Sequence, residues 1–362
     1  MKILVTGSNG FIGKNLITKL QEDTRISTVT FSRDNSLEDL YSLVSDVDLV
    51  VHLAGVNRPE NDDFFLKDNL DLTVSICNVL QSTNRKIPLI FSSSTQATLT
   101  LDNPYGQSKL KAEEAVYKYS KETNSLVYVY RLPNVFGKWS KPSYNSVVST
   151  FCHNIINDKQ LNIDDTDTKL NLVYIDDLID EFLSIINDSK LPHSEPIYPI
   201  YEIKLGELAD LIKSFKRIRE NITVENVGAG LKRAMYATYL SFYTPENFSY
   251  SIKINKDKRG SFAEFIKTKE SGQFSYFTIK PGFTRGEHYH HTKNEKFLLV
   301  KGAAIFRFRN ILSNEVYEIS VTEKSLEVIE SIPGWVHDVT NTGEDEAIVM
   351  LWANEIFNEE LP

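Results

Sequence analysis

The sequence predicts an α/β chain, a Rossmann-type doubly wound parallel sheet followed by an all-β sandwich or barrel. Three observations predict it. Between Met1 and about Leu191, short apolar runs alternate with longer amphipathic stretches, and a glycine-rich turn follows the first run. After about Tyr243 the pattern becomes one of short strand-like runs separated by Gly, Pro, Asn and Asp. The runs Ile3–Val5, Thr28–Phe31, Leu49–Leu53, Leu89–Phe91 and Val127–Tyr130 read as strands, since near-continuous apolar runs suit a sheet covered on both faces. Phe11–Leu20, Leu70–Gln81 and Ser108–Ser120 read as the helices between them, and Leu205–Arg219 as one more. Strand and helix in alternation imply right-handed crossovers and parallel pairing. Phe274–Ile279, Lys296–Val300, Ala304–Arg309, Glu315–Val321, Leu326–Ile329 and Ala347–Trp352 read as strands of the second half. The seam falls at Thr244-Pro245-Glu246-Asn247, which gives domains over 1–243 and 244–362.

Composition narrows the function classes. With 41% hydrophobic and 25% charged residues, the 362-residue chain is an ordinary globular protein, not a disordered or collagen-like one. The formal net charge of −9, from 40 Lys+Arg against 49 Asp+Glu, argues against nucleic acid as a partner. Cys77 and Cys152 cannot form a disulfide framework, and a reducing compartment fits. The opening residues read as a strand and not as a signal peptide. No apolar run approaches the ~20 residues of a membrane span. A cytoplasmic protein without membrane insertion is expected.

The first strand leads into Gly7-Ser8-Asn9-Gly10-Phe11-Ile12-Gly13. Glycines at this spacing turn tightly, admit a pyrophosphate to the backbone and aim a helix N-terminus at its charge. A tight structural turn needs the same glycines, but placement in the first βα unit favours a dinucleotide. Tyr105 and Lys109, four apart, share a helical face behind the Asn103-Pro104 start. An ammonium beside a phenol lowers its pKa, so Tyr105 could exchange a proton with a carbonyl near neutral pH. Ser92-Ser93-Ser94, after the strand Leu89–Phe91, could polarise the same oxygen.

Those motifs, with His52-Leu53-Ala54-Gly55, Arg131-Leu132-Pro133-Asn134-Val135-Phe136-Gly137 and Val173-Tyr174-Ile175-Asp176-Asp177, resemble the extended short-chain dehydrogenase/reductase family. Its members mostly act on nucleotide-linked sugars. The resemblance covers about residues 1–240 and implies Tyr105 as catalytic acid/base, Lys109 as its pKa-lowering, ribose-holding partner and Ser94 as the carbonyl-orienting hydroxyl. Thr95 is adjacent and could replace Ser94. Cofactor contacts are implied for Gly7, Asn9, Gly10, Phe11, Ile12, Gly13, Leu53, Ala54 and Gly55. Substrate contacts are implied for Asn134, Lys138 and Tyr144. The second strand ends in Phe31-Ser32-Arg33-Asp34. Arg33, with Lys14 possible beside it, favours the 2′-phosphate of NADPH, whereas Asp34 speaks for NADH.

In the last third, His288-x-His290, Glu295 and, within Pro333-Gly334-Trp335-Val336-His337, a third imidazole form a candidate site for a divalent metal such as zinc, nickel, iron or manganese. Residues two apart in a strand face one side, so His288 and His290 can point together. Zinc is the first choice. His291 reads as solvent-facing or as a neighbouring proton-transfer group, and His52, His153 and His193 carry no assignment. The pattern matches both cupin motifs, with Ile332-Pro333-Gly334 in place of the usual P-x-G.

The two halves together resemble the CapF-type family of capsular polysaccharide synthesis enzymes. Carrying that resemblance are His52-Leu53-Ala54-Gly55-Val56-Asn57-Arg58-Pro59-Glu60, Phe136-Gly137-Lys138-Trp139, Tyr144-Asn145-Ser146-Val147, Asp257-Lys258-Arg259-Gly260-Ser261-Phe262 and the His290–Phe297 stretch. It implies a homodimer that epimerises C3 of a UDP-linked 2-acetamido-2,6-dideoxy-4-ketohexose in the cupin half. NADPH-dependent reduction at C4 then gives UDP-2-acetamido-2,6-dideoxy-β-L-talose. The base is open among Lys296, His291 and several tyrosines, and the metal is either catalytic or structural. Two other readings remain, a dTDP-linked substrate and a non-catalytic NADP-sensing or sugar-binding protein. The intact Tyr105/Lys109 pair weighs against the last.

Overall fold

The computed structural model describes residues 1–57, 65–98, 103–187, 197–325 and 327–356. Arg58–Glu60 of the longest family motif, His193 and Leu326 lie outside them. The chain forms two compact units. The first comprises Met1–Ile212 and Ala234–Phe242, the second Lys213–Arg233 and Tyr243–Pro362.

The first unit is built on β1 (Lys2–Thr6), β2 (Ser27–Phe31), β3 (Leu49–His52), β4 (Leu89–Ser94) and β5 (Val127–Leu132). They pair in parallel in the order β2-β1-β3-β4-β5. The order reverses direction between β1 and β3, and in open α/β sheets ligands sit outside the carboxyl ends of the strands at such a switch point. β1, β3 and β4 are buried almost end to end, which is why they read as unbroken apolar runs. One face is covered by helices Leu37–Val44, Leu72–Ser82 and Pro104–Thr123, whose Leu40, Ile76, Leu80 and Val116 pack on Leu4, Val50, Leu89 and Val129. Ser36 and Asp39 close a reciprocal capping box on the first of these helices. Asn103 caps the third, accepting from the Gly106 N–H, with Pro104 in its first turn. After Pro133, a three-stranded sheet joins β6 (Asn134–Phe136), β7 (Lys169–Tyr174) and β8 (Tyr201–Lys204).

In the second unit β9 (Thr223–Val224), β10 (Asn255–Asp257), β11 (Gly260–Thr268), β12 (Gly272–Ile279), β14 (Glu295–Lys301), β17 (Val328–Glu330) and β19 (Ala347–Ala353) form one sheet. The other is β13 (Thr284–His288), β18 (Trp335–Asn341), β15 (Ala303–Asn310) and β16 (Val316–Thr322). Lys213–Arg233 groups with this unit because Thr223 and Val224 pair in parallel with Lys267 and Thr268 of β11. Phe277, Phe297, Leu299, Phe306, Val339 and Val349 fill the space between the two sheets, the arrangement expected of a cupin-like barrel. β13 and β18 escape a reading by period, because Gly286 and Glu287 break the alternation of one and the other turns a histidine and an asparagine inward. Among the described residues no helix is long and apolar enough to cross a membrane.

Candidate functional site

Each unit carries one constellation. In the first, the chain leaves β1 through Gly7, whose φ of +68° lies in the left-handed region. A Cβ on Gly7 would stand 2.7 Å from the Ala54 N, and one on Gly13 would stand 2.3 Å from the Gly7 O, so both positions require glycine. Gly10 caps the helix Phe11–Leu20, and no side chain takes its first-turn N–H groups. Those donors suit an anion. Asn9 and Gly10 are exposed, and Phe11 and Ile12 are half-buried. Arg33 lies exposed in the turn after β2, where the Ser32 N–H donates to Asn35 Oδ1. No carboxylate ends β2 itself.

The facing wall is Leu53–Gly55. Both the Leu53 and Ala54 N–H groups donate to Thr6 Oγ1 at 3.1 Å. With its acceptor side used, the Thr6 hydroxyl donates to His52 Nδ1 (2.7 Å), which leaves His52 Nε2–H to donate to Thr73 Oγ1 (2.9 Å). Thr73 in turn donates to the Asn69 O. Burial pushes the His52 pKa down to about 3, with the Lys109 charge adding to it. His52 is thus a neutral core histidine that braces the Leu53–Gly55 wall. Asn69, in the π-helical turn Leu66–Asp71, accepts from the Val56 N–H and donates to the Val56 O and Ser108 Oγ. Sequence reasoning missed Thr6, Asn69 and Thr73, whose partners on other elements are 13 to 48 residues away with no local period to reveal them.

Behind that wall Lys109, buried, donates from Nζ to the Ser92 O at 3.0 Å. A Cβ on Gly55 would come within 3.3 Å of this nitrogen. Ser94 is hydrogen-bonded to Tyr105, while Thr95 is exposed. The expected lowering of the Tyr105 pKa by Lys109 is not what this geometry gives. Burial raises the phenol above its usual value, Ser94 opposes that, and the charge of Tyr144 raises it further. Burial also pushes Lys109 down to about 8, against the pull of Glu113.

The expected substrate residues divide. Tyr144 is 41% exposed and electrostatically coupled to Tyr105. Asn134 is exposed at the start of β6. The Lys138 ammonium pairs with Asp176 in a cleft of about 270 Å³ lined also by Asn15, Lys19 and Asp180. Both partners of that ion pair keep part of their side chains exposed, 35% for Lys138 and 45% for Asp176. The glycine cradle, the free helix N-terminus and the Ser94–Tyr105–Lys109 group fit a bound dinucleotide.

In the second unit His288, His290, Glu295 and His337 bring one donor atom each within 4.8 Å of the others. The His288 ring lies 4.8 Å from each of the other two. Strand alternation is not what aligns them. β13 ends at His288 after an irregular step at Glu287 (φ +67°), and His290 stands beyond the strand. The Gly334 N–H fixes it by donating to the His290 O at 3.0 Å, from a turn where Gly334 has φ +81°. Glu295 opens β14, its N–H held by Ser331 Oγ, and its Oε2 lies 3.0 Å from His337 Nε2 and 3.4 Å from His290 Nε2. Lys293 Nζ stands 3.7 Å from Glu295 Oε1, a neighbour that sequence reasoning overlooked.

Burial lowers the pKa of His288 and of His290, which keeps both rings neutral as metal ligation needs. Burial acts to raise the Glu295 pKa, but the His337 hydrogen bond and the Lys293 charge outweigh it and hold the carboxyl ionised. Among the described residues, His290 Nε2 and His337 Nδ1 are buried without a hydrogen-bond partner. Three nitrogens, one carboxylate and orphaned buried imidazole atoms fit a divalent cation. His291 lies outside this group, exposed and 5.3 Å from the Tyr289 ring. Lys296 is exposed and ion-paired with Glu330. Neither candidate base meets the cluster.

Comparison with known proteins places both constellations in context. Residues 3–201 match the NAD dependent epimerase/dehydratase family, and residues 255–362 match the polysaccharide biosynthesis C-terminal domain. The chain is 49% identical, over all of its length and 97% of the relative's, to a UDP-2-acetamido-2,6-beta-L-arabino-hexul-4-ose reductase of Pseudomonas aeruginosa. It is similar along its whole length, and along 98% of the other chain, to the capsular polysaccharide assembling protein CapF of Staphylococcus aureus, with 40% identity and a TM-score of 0.92. UDP-glucuronic acid 4-epimerase of Bacillus cereus, solved with NAD, shares the fold over 67% of this chain and 98% of its own, at 18% identity and a TM-score of 0.57.

Proposed function

The chain belongs to the CapF-type family, an epimerase/dehydratase domain joined to a polysaccharide biosynthesis C-terminal domain, and from that premise we propose that it is a bifunctional nucleotide-sugar enzyme. Its substrate is a UDP-linked 2-acetamido-2,6-dideoxy-4-ketohexose. The second unit inverts C3, the first reduces C4, and the product is UDP-2-acetamido-2,6-dideoxy-β-L-talose for capsular polysaccharide or O-antigen synthesis in the cytoplasm. The observation that carries the reading is the meeting of Ser94, Tyr105 and Lys109 beside the glycine cradle, at the carboxyl ends of the parallel strands.

The glycine turn Gly7–Gly13 would hold a nicotinamide dinucleotide, which would supply a hydride for C4. Tyr105 gives its phenolic proton to the carbonyl oxygen as negative charge develops there, and Ser94 donates a second hydrogen bond that orients that oxygen. The buried Lys109 ammonium stabilises the phenolate left behind. Arg33 offers a planar guanidinium to a 2′-phosphate, so NADPH is the cofactor of choice. His288, His290, Glu295 and His337 would hold a divalent ion, zinc first among the candidates, and it would supply Lewis acidity toward a keto oxygen. A 4-keto group acidifies the C3 hydrogen, and reprotonation from the opposite face inverts that centre.

A second copy of the chain is the partner we propose. Alternation turns Phe274, Tyr276, Leu298, Met350 and Trp352 to the outer side of the large sheet in two adjacent rows. Of these, Phe274 and Met350 are 40% and 38% exposed. Such a contiguous apolar face suits sheet-to-sheet packing. Met350→Glu should turn a dimer into a monomer in sedimentation velocity.

The test of the activity is product mass after incubation of the ketosugar with NADPH in heavy water. A reduced sugar with non-exchanging deuterium at C3 supports both half-reactions. Reduction without deuterium removes the epimerase, and no turnover with the UDP sugar but turnover with a dTDP one moves the substrate class. Tyr105→Phe should abolish reduction and leave C3 exchange intact.

A further inference from the structure

The helix Pro104–Thr123 presents a third residue at the spacing of Tyr105 and Lys109, namely Glu113. Its side chain is 2% exposed. One carboxylate oxygen accepts from Ser93 Oγ and from Arg131 Nε (3.0 Å), and the other accepts from Arg131 Nη2 (2.7 Å). Ser93 and Arg131 are register partners on the neighbouring strands β4 and β5, so one carboxylate clamps two strands at once. The helix therefore docks on the serine triplet at three successive turns. Tyr105 meets Ser94, Lys109 meets the Ser92 carbonyl, and Glu113 meets the Ser93 hydroxyl. A buried carboxylate is retained only with such partners, and its charge acts strongly on a neighbouring ammonium in a dry site.

We propose that Glu113 is a positioning residue of the reduction, which locks the catalytic helix in register with the Ser92–Ser94 strand end and sets a fixed negative charge one helical turn from the Lys109 ammonium. This rests on the reading of Tyr105 and Lys109 as the reducing pair. Among the described residues, these groups face Lys109. Tyr105 and Glu113 flank it one turn away on its own helix, His52 on β3 is held neutral, and the Phe91 ring lies 5.2 Å from Nζ. Arg131 stands behind Glu113 on β5. Among the described residues Glu113 is thus the anion of this group, and it opposes the lowering of the Lys109 pKa by burial.

The experiment is the pH profile of ketosugar reduction with NADPH. Glu113→Gln keeps the shape and removes the charge. The expected result is a fall in kcat of about 10- to 100-fold, from the misplaced helix. Its alkaline limb should move to lower pH, because Lys109 loses its proton more readily. Glu113→Asp should return the limb to its wild-type position while kcat stays reduced. A wild-type kcat and an unmoved limb in Glu113→Gln overturn the proposal, as does a fall in kcat with the limb unmoved, the mark of a purely structural role. If Glu113→Gln does not fold, Glu113→Asp and Ser93→Ala decide. Reduced kcat with a wild-type limb in both supports the lock, and wild-type kcat in both overturns it. Tyr105→Phe run alongside separates the two readings. Retained reduction in that variant refutes the Tyr105 assignment, whereas its loss beside an unaffected Glu113→Gln refutes the Glu113 proposal alone.

Discussion

Lys109→Met should inactivate the reductase and stabilise its fold. Lys109 is 5% exposed, and burial pushes its pKa from 10.5 down to about 8. At about 1.4 kcal/mol per pH unit, keeping the ammonium charged costs the folded state about 3 kcal/mol at neutral pH. Methionine of similar length removes that cost. It also forfeits the hydrogen bond to the Ser92 O, worth about 1 kcal/mol, and the contact 5.2 Å from the Phe91 ring, worth about 0.5–1 kcal/mol. The balance is a gain of about 1–2 kcal/mol, or a rise in Tm of about 3–6 °C for a unit of this size. Calorimetry of the cofactor-free protein at pH 7 reads it, resolving the first unit's transition from the second's. The sign with pH follows from linkage. Between pH 8 and 10.5 the unfolded chain holds a proton that the folded one has released, so wild-type stability rises with pH and the gap to the variant closes. A lower Tm for Lys109→Met at pH 7, or a gap constant across that window, would refute the reasoning.

Three further outcomes are expected. Arg33→Ala should weaken NADPH binding far more than NADH binding in fluorescence titrations, and equal losses for both would end the 2′-phosphate argument. His337→Ala should lower the bound divalent metal, measured by plasma emission on dialysed protein, and abolish deuterium uptake at C3 while C4 reduction of an already epimerised sugar survives. Full metal content in that variant would remove His337 from the ligand set. Gly13→Ala places a methyl 2.3 Å from the Gly7 O, and such overpacking should cost about 1–3 kcal/mol and eliminate cofactor binding. A wild-type Tm with intact NADPH affinity would contradict it.

What was legible in the sequence is what local spacing encodes. Gly7, Gly10 and Gly13 are constrained by a turn within seven residues, and Tyr105 and Lys109 by one turn of helix, so a linear pattern displays them. His288, His290, Glu295 and His337 were found by motif, yet the mechanism expected to align the first two failed. Gly286 and Glu287 end the regular strand, and a turn 44 residues away holds the His290 carbonyl. Glu113 and the Thr6–His52–Thr73 relay were invisible because buried polar groups choose partners across strands, and nothing in their neighbourhood marks the choice. The ion pair of Lys138 with Asp176, from the helix Ile175–Asn187, was equally unmarked, since 38 residues separate the two.

The chain passes from one unit to the other after Ile212, returns after Arg233 and leaves again after Phe242. Modularity in the finished enzyme is therefore not modularity along the gene. A fragment starting at residue 244 would discard Thr223 and Val224, baring the backbone of Lys267 and Thr268, and would strip Lys269 of its ion pair with Glu225. An unpaired strand edge of that kind invites intermolecular pairing. Recombination that swaps this barrel onto another reductase would have to carry residues 213–233 with it. Dissection of the two half-reactions belongs to single-residue replacements in the intact chain, and an inactive truncate would report a broken sheet before it reported anything about catalysis.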